Sequence, residues 1–319
     1  MRFLPNFKGL DFFPHGTRID FMRYWHACFW TSIATIFVSV GLFFTVGLNY
    51  GVDFKGGTMV EVQTKSGAPA NIQAMRNQLG GLGLGAVQIQ EFGTSNDVLI
   101  RIEQQPGGEE AQQAALRKIV DALGSDFIQR RVEVVGPAVS AELRRTGIIA
   151  VLCAIIAIIA YVWFRFEWQF AVGTILALTH DVLLVVGIFA LFQFEFDLSI
   201  VAALLTILGY SVNDTVVISD RIRENLRKYK RMEIRELLNL SINETLSRTI
   251  LTGFTTLVVL LALFIFGGSV LRYFTLAMLL GVIIGTYSSI YIAAPVLELL
   301  GVKSESVTGS EKAAASARG

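Results

Sequence analysis

The chain has 319 residues, of which 53% are hydrophobic and 17% charged, and its mean hydropathy is +0.56. An ordinary soluble domain carries ~25% charged residues, so this composition excludes a soluble enzyme and points to an integral membrane protein. The formal net charge of +1 favours neither nucleic acid nor an acidic ligand. The two cysteines, Cys28 and Cys153, lie inside apolar runs, so neither a disulfide framework nor a cysteine metal site is expected.

Residues 1–27 form a short leading segment with several aromatics and scattered basic residues, read as cytoplasmic. Cys28–Leu48 is long enough to cross a bilayer and too long for the apolar region of a signal peptide, so it is read as a retained first helix. Residues 49–145 read as a folded domain. Thr58–Thr64 alternates as a strand, with Val60 and Val62 on one face and Glu61 and Gln63 on the other. Pro69 and Asn71 open a short helix carrying Ile72, Met75 and Leu79. Ala86–Phe92 and Asp97–Ile102 alternate again around Gly93-Thr94-Ser95-Asn96, a hairpin signal. Glu109–Leu123 has helical spacing with acids at its start, and Ile128–Val135 closes as a strand. The order β-α-β-β-α-β is the ferredoxin-like pattern. Eleven acids and ten bases leave this domain neutral, with no histidine, cysteine or carboxylate cluster to suggest an active site.

Five further runs complete a six-helix membrane protein: Thr146–Phe164, Trp168–Gln193, Leu198–Ser219, Thr249–Gly267 and Tyr273–Leu297. Residues 220–248 read as a basic loop, and 298–319 as a disordered tail rich in Ser, Ala and Gly. With the N-terminus cytoplasmic, 16 Lys and Arg fall inside and only Arg272 in the short outer loops; the other ten belong to the long domain, which the rule does not count. Both termini are therefore expected inside. Trp25, Trp30, Trp163 and Trp168 fall near the inner ends of the first three helices, as an interfacial belt would.

Ionisable groups at membrane depth cost a few kcal/mol and are functional by default. Asp214 lies five residues from the inner end of the fourth run, about 8 Å deep, beside a polar stripe of Thr206, Tyr210 and Asn213, with Ser211 a turn earlier. A carboxyl there exchanges protons if a cation approaches and withdraws. Arg248, at the start of the fifth run and followed by Thr249, Thr252 and Thr256, is the candidate; its plainer reading is an ordinary inside charge. Asp214 has its own plainer reading, a static lock between helices. His180 and Asp181 lie roughly 16–18 Å from the inner end of the third run and extend a stepped relay, although His180 also reads as a packing residue. Gly281 and Gly285 make a GxxxG face for another helix. The basic 221–248 stretch has a second reading as an anionic-lipid contact.

Several motifs together resemble the SecF branch of the SecD/SecF family of bacterial protein export. Gly51-Val52-Asp53-Phe54-Lys55-Gly56-Gly57-Thr58 is similar to its GxDFxGG signature, with Gly51, Asp53, Gly56 and Gly57 the matching positions. Gly209 to Val217, Asp220-Arg221-Ile222, His180-Asp181, Ser247-Arg248-Thr249 and Gly267-Gly268 also sit where that family has them. The match runs from Phe21 to about Gly301, and the single six-helix unit with one modest outer domain distinguishes it from SecD. The resemblance implies the resistance-nodulation-division superfamily, a bacterial inner-membrane location, and SecD as the other six-helix half. It further implies the SecYEG channel, YajC and the exported unfolded polypeptide as partners, without cofactor, metal or catalytic residue. It implies proton movement at Asp214 and Arg248, coupled to motion of the periplasmic domain. One charge crossing the membrane supplies ~2.3 kcal/mol per 100 mV, enough to bias a two-state domain more than tenfold. A proton-coupled small-molecule exporter and a passive scaffold are the competing readings.

Overall fold

The computed structural model describes residues 18–85 and 87–302. Among these, six helices are long and apolar enough to cross a membrane. They are α1 (Trp25–Thr45), α5 (Pro137–Arg165), α6 (Trp168–Phe192), α7 (Leu198–Lys228), α8 (Ile234–Phe266) and the composite α9 (Gly268–Ser288), a π turn Ser289–Ala293, and α10 (Ala294–Leu299). The expected leading segment and tail fall largely on 1–17 and 303–319, outside the described residues. The part of the tail that is described, up to Val302, is packed: α10 extends to Leu299, and Val302 is buried.

Between α1 and α5 the chain forms β1 (Asn49–Tyr50), a single helical turn α2 (Val52–Lys55), β2 (Gly57–Thr64), α3 (Ile72–Gly80), β3 (Val87–Phe92), β4 (Thr94–Ile102), α4 (Gly108–Leu123) and β5 (Phe127–Val135). The sheet order is β3-β4-β2-β5 with every neighbouring pair antiparallel. Val60, Val62, Ile100 and Ile102 point to the face covered by α3 and α4, where Leu79 and Ile119 complete a core. The opposite face carries Met59 and Leu99, which pack on Val52 of α2. The hairpin is tighter than expected. Gly93, at φ 83°, turns the chain alone, and Thr94 already pairs with Phe92, so β4 begins three residues before Asp97.

The helices also differ from the hydropathy boundaries. Pro137 at the first turn of α5 suits a helix start, and the helix runs from there into the membrane without a break. On the other side, the stretch read as a basic loop is mostly helix: α7 continues to Lys228 and α8 begins at Ile234. An apolar stripe explains this, because Ile222, Leu226, Leu237, Leu238 and Ile242 are buried together. Ion pairs hold the outer faces. Arg221 pairs with Glu224 at 2.6 Å and Glu244 at 2.7 Å, and Arg165 makes a two-pronged contact with Asp220 at 2.9 and 3.0 Å. Asn239 accepts from the Met22 amide and donates to Asp20, which ties the leading segment to α8. Trp25 departs from the belt reading, being buried in this same cluster, whereas Trp30, Trp163 and Trp168 are exposed.

Lipid tails remove the hydrophobic drive for helix pairing, so packing depends on close approach. Gly281 and Gly285 serve it within the chain. A methyl at Gly281 would lie 2.3 Å from the Ile207 side chain, and one at Gly285 would lie 3.1 Å from Ser211, both on α7. The GxxxG face is therefore occupied by α7.

Candidate functional site

Three helices converge on Asp181. One carboxylate oxygen accepts from Ser211 of α7 at 2.6 Å and from Ser288 of α9 at 2.9 Å; the other meets His180 Nδ1 at 3.0 Å. Asp181 and His180 are fully buried. Gly285 gives Ser211 room beside Asp181, since a Cβ there would stand 3.1 Å from the Ser211 Cβ and 3.3 Å from its hydroxyl. His180 Nε2 has no partner, and the ring lies 6.0 Å from that of Tyr287. The Tyr287 hydroxyl in turn donates to the Cys28 carbonyl at 2.9 Å and contacts Ser32 at 3.0 Å on α1.

One turn further along α7, Thr215 and Ser289 share a hydrogen bond of 2.8 Å. Asp214 stands beside them. Its Oδ1 accepts from Thr249 of α8 at 2.7 Å, while its Oδ2 is buried without any partner. Buried polar atoms are normally satisfied, so this half-bonded carboxylate is unlike the saturated one of Asp181. Arg248 is exposed and within electrostatic reach of Asp214. Among the described residues the two make no hydrogen bond or ion pair. Asn213 is exposed, a helical step away from the buried Asp214.

Thr206, Gly209 and Asn213 line one exposed edge of α7, and Arg248 and Thr252 are exposed on α8. Tyr210 is half-buried between them. This polar strip lies on membrane-spanning helices.

The GxDFxGG residues form a joint between the sheet domain and the helices. The Gly51 amide donates to the Phe196 carbonyl at 2.9 Å, alongside the parallel pairing of β1 with β6 (Glu195–Phe196). Asp53 Oδ2 accepts from the Leu198 amide at 3.0 Å and so caps the first turn of α7, where Asp197 caps the Ile200 amide. Carboxylates there suit the helix dipole. Phe54 enters the core beside Phe196. Gly57 has φ 120°, and a Cβ there would lie 2.4 Å from the Ile102 carbonyl.

Sequence reasoning missed two parts of this assembly. Ser288 was hidden inside an apolar run; its only signal is its position one turn past Gly285. Arg101 of β4 and Glu195 form a buried ion pair between the domain and the α6–α7 connection. Glu195 also faces a cleft with Asp53, Glu61, Glu133 and Asp197. Burial pushes the carboxyls of Glu195 and Glu133 above the usual range, against the lowering influence of Arg101 and Arg131 respectively.

Comparison with known proteins matches this architecture. The family model described as "Protein export membrane protein SecD/SecF, C-terminal" fits residues 115–303, and that of the "SecD/SecF GG Motif" fits residues 41–68. The chain is 46% identical over 298 residues to the protein translocase subunit SecF of Cereibacter sphaeroides, covering 91% of both chains. It is 44% identical over 296 residues to the protein translocase subunit SecDF of Brucella abortus, covering 93% of this chain and 39% of the longer one. The crystal structure of SecDF from Thermus thermophilus, a translocon-associated membrane protein, superposes with a TM-score of 0.80 at 37% identity. That match covers 90% of this chain and 39% of that one. The chain belongs to the SecD/SecF family of protein-export membrane proteins.

Proposed function

We propose that the chain is an auxiliary subunit of the bacterial Sec translocase that, together with SecD, uses the proton-motive force in late steps of polypeptide export. The observation that carries this reading is the half-bonded carboxylate of Asp214: one oxygen held by Thr249, the other buried and empty-handed. A group so placed takes up a proton without breaking its existing bond and releases it when a cation draws near. Arg248, exposed and unpaired to it, is the cation we assign. Asp181 is saturated by three partners, so it and His180 form a second station that fixes α6, α7 and α9 around the relay. Asn213 borders the relay from the exposed side.

The polar strip supports a protein partner in the membrane. Asn213 and Arg248 are exposed at positions where lipid would leave their polar groups unsatisfied, and a second six-helix subunit covers them without that cost. Relatives in which SecD and SecF are one chain support SecD in that place, with SecYEG, YajC and the exported polypeptide as further members. The four-strand order supports assigning the domain at 49–145 to the ferredoxin-like pattern, and we place it in the periplasm with both termini in the cytoplasm of the inner membrane.

The test is export of a preprotein into inverted vesicles, with and without an uncoupler. Asp214→Asn removes the stimulation by the proton gradient while the subunit still assembles with its partner. Gradient-dependent export at the normal rate in that variant refutes the relay. The exchanged pair Asp214→Arg with Arg248→Asp is also inactive if the relay is directional, whereas a passive scaffold tolerates the exchange.

A further inference from the structure

An apolar groove of about 460 Å³ opens between α5 and α7 on the side of the membrane that carries the sheet domain. Its walls include Val151 and Leu152 of α5, Leu204 of α7, and Phe54. Lys55 and Arg144 stand at its rim. Both are exposed, and among the described residues neither side chain makes a hydrogen bond or an ion pair.

The groove's depth fits one leaflet. Arg144 lies two residues before the apolar stretch that begins at Thr146. From Arg144 to Leu152 the helix descends eight residues, about 12 Å at about 1.5 Å each, against a half-thickness of about 15 Å for the hydrocarbon core. The groove therefore starts at the headgroup level and ends among the acyl chains. The rim is the more basic of the span ends on this side, where Arg145 beside it and Arg272 are the other Lys or Arg. Two unpaired cations above an apolar slot complement an anion carrying an alkyl tail, the same chemistry by which basic pockets between membrane helices hold acidic headgroups on the cytoplasmic side.

We propose that this groove binds an anionic phospholipid of the outer leaflet, its phosphate held between Lys55 and Arg144 and one acyl chain laid along Val151, Leu152 and Leu204. The site is separate from Asp214 and does not depend on the relay. It places a lipid at the joint where the sheet domain meets α5 and α7, since Lys55 is the last residue of the α2 turn.

The test uses the full chain, purified in detergent and stripped of lipid, with native mass spectrometry of added dioleoyl phosphatidylglycerol against dioleoyl phosphatidylcholine. The unaltered chain binds the anionic lipid preferentially at one site. Each removed cation lowers that preference about fivefold, so K55Q/R144Q lowers it about thirtyfold. Leu152→Trp, which fills the slot from an exposed position, removes binding of both lipids there. Matched melting curves show that these variants fold. Equal binding of the two lipids to the unaltered chain, or an unchanged preference in K55Q/R144Q, overturns the proposal. So does displacement of the lipid by inorganic phosphate at equal concentration, which would mark a bare anion site. Loss of the site when the partner subunit is co-purified would assign the groove to a protein helix and overturn it as well.

Discussion

Replacing Glu195 with Gln tests how the sheet domain is fastened to the membrane helices. Glu195 and Arg101 are each about nine-tenths buried. Arg101 cannot shed its charge, so Glu195→Gln leaves a buried guanidinium without a counter-charge, a loss of about 3–5 kcal/mol. The reverse change, Arg101→Met, is milder, because the buried carboxyl left behind can take up a proton and neutralise itself. The apolar pair Arg101→Met with Glu195→Leu removes both charges and lies close to neutral. The affected structure is the β1–β6 pairing, reported by hydrogen exchange at the Gly51 amide bonded to the Phe196 carbonyl. A loss of about 3–5 kcal/mol in local opening accelerates that exchange by about two to four decades. Less than a tenfold acceleration in Glu195→Gln, or an apolar pair as open as that single variant, refutes the assignment of Arg101–Glu195 as the fastening.

The same joint responds to acidity. Burial raises the Glu133 carboxyl above its usual range, so the docked state binds that proton more readily than the undocked one. Its contribution is complete below the ordinary carboxylate pKa and is lost as the pH rises through the raised value; protection at Gly51, corrected for intrinsic exchange, therefore increases from pH 8 to pH 5. Glu133→Gln loses that dependence. Asp53→Ala removes a cap from α7 and costs about 1 kcal/mol, read as roughly fivefold faster exchange at the Leu198 amide. Gly281→Leu forces a side chain onto Ile207 and destabilises by about 1–3 kcal/mol, seen as a lower melting temperature in detergent. Gly209→Ala, at a site with nothing within 4 Å of a new methyl, leaves the melting temperature equal or higher.

The spans were legible because a bilayer imposes a length and an apolarity that few other structures need. Their ends were less so, for hydropathy reports where lipid stops and not where a helix stops. Residues 220–248 show the difference: the charge of Arg221, Arg223 and Arg227 masked Ile222 and Leu226, a helical pair facing Leu238 and Ile242. Alternation of Val60 and Val62 with Glu61 and Gln63 revealed β2, although the structure buries both faces of that strand. The two-residue strands β1 and β6 have no such alternation, and only their pairing defines them. Within the membrane, rarity made Asp181 and Asp214 stand out. Composition did not show that one carboxylate is saturated and the other half-bonded, because Ser211, Ser288 and Thr249 are too ordinary to signal which acid they serve. The glycine and aspartate of the GxDFxGG stretch were visible as a motif, and their purpose as a clasp on α7 needed the Leu198 amide beside Asp53.

Helix α5 is a single 29-residue rod from Pro137 to Arg165, and only Ser140, Gly147 and Val162 along it are buried. At about 1.5 Å per residue it is roughly 43 Å long, with β5 ending two residues before it. A rod so sparsely gripped works as a lever. Tilting it by about 10° around a contact at Val162, near its far end, swings the other end by about 7 Å, carrying the edge strand of the sheet with it. A small shift in the packed core around Val162 is thereby enlarged at the sheet to the scale of two residues of extended chain.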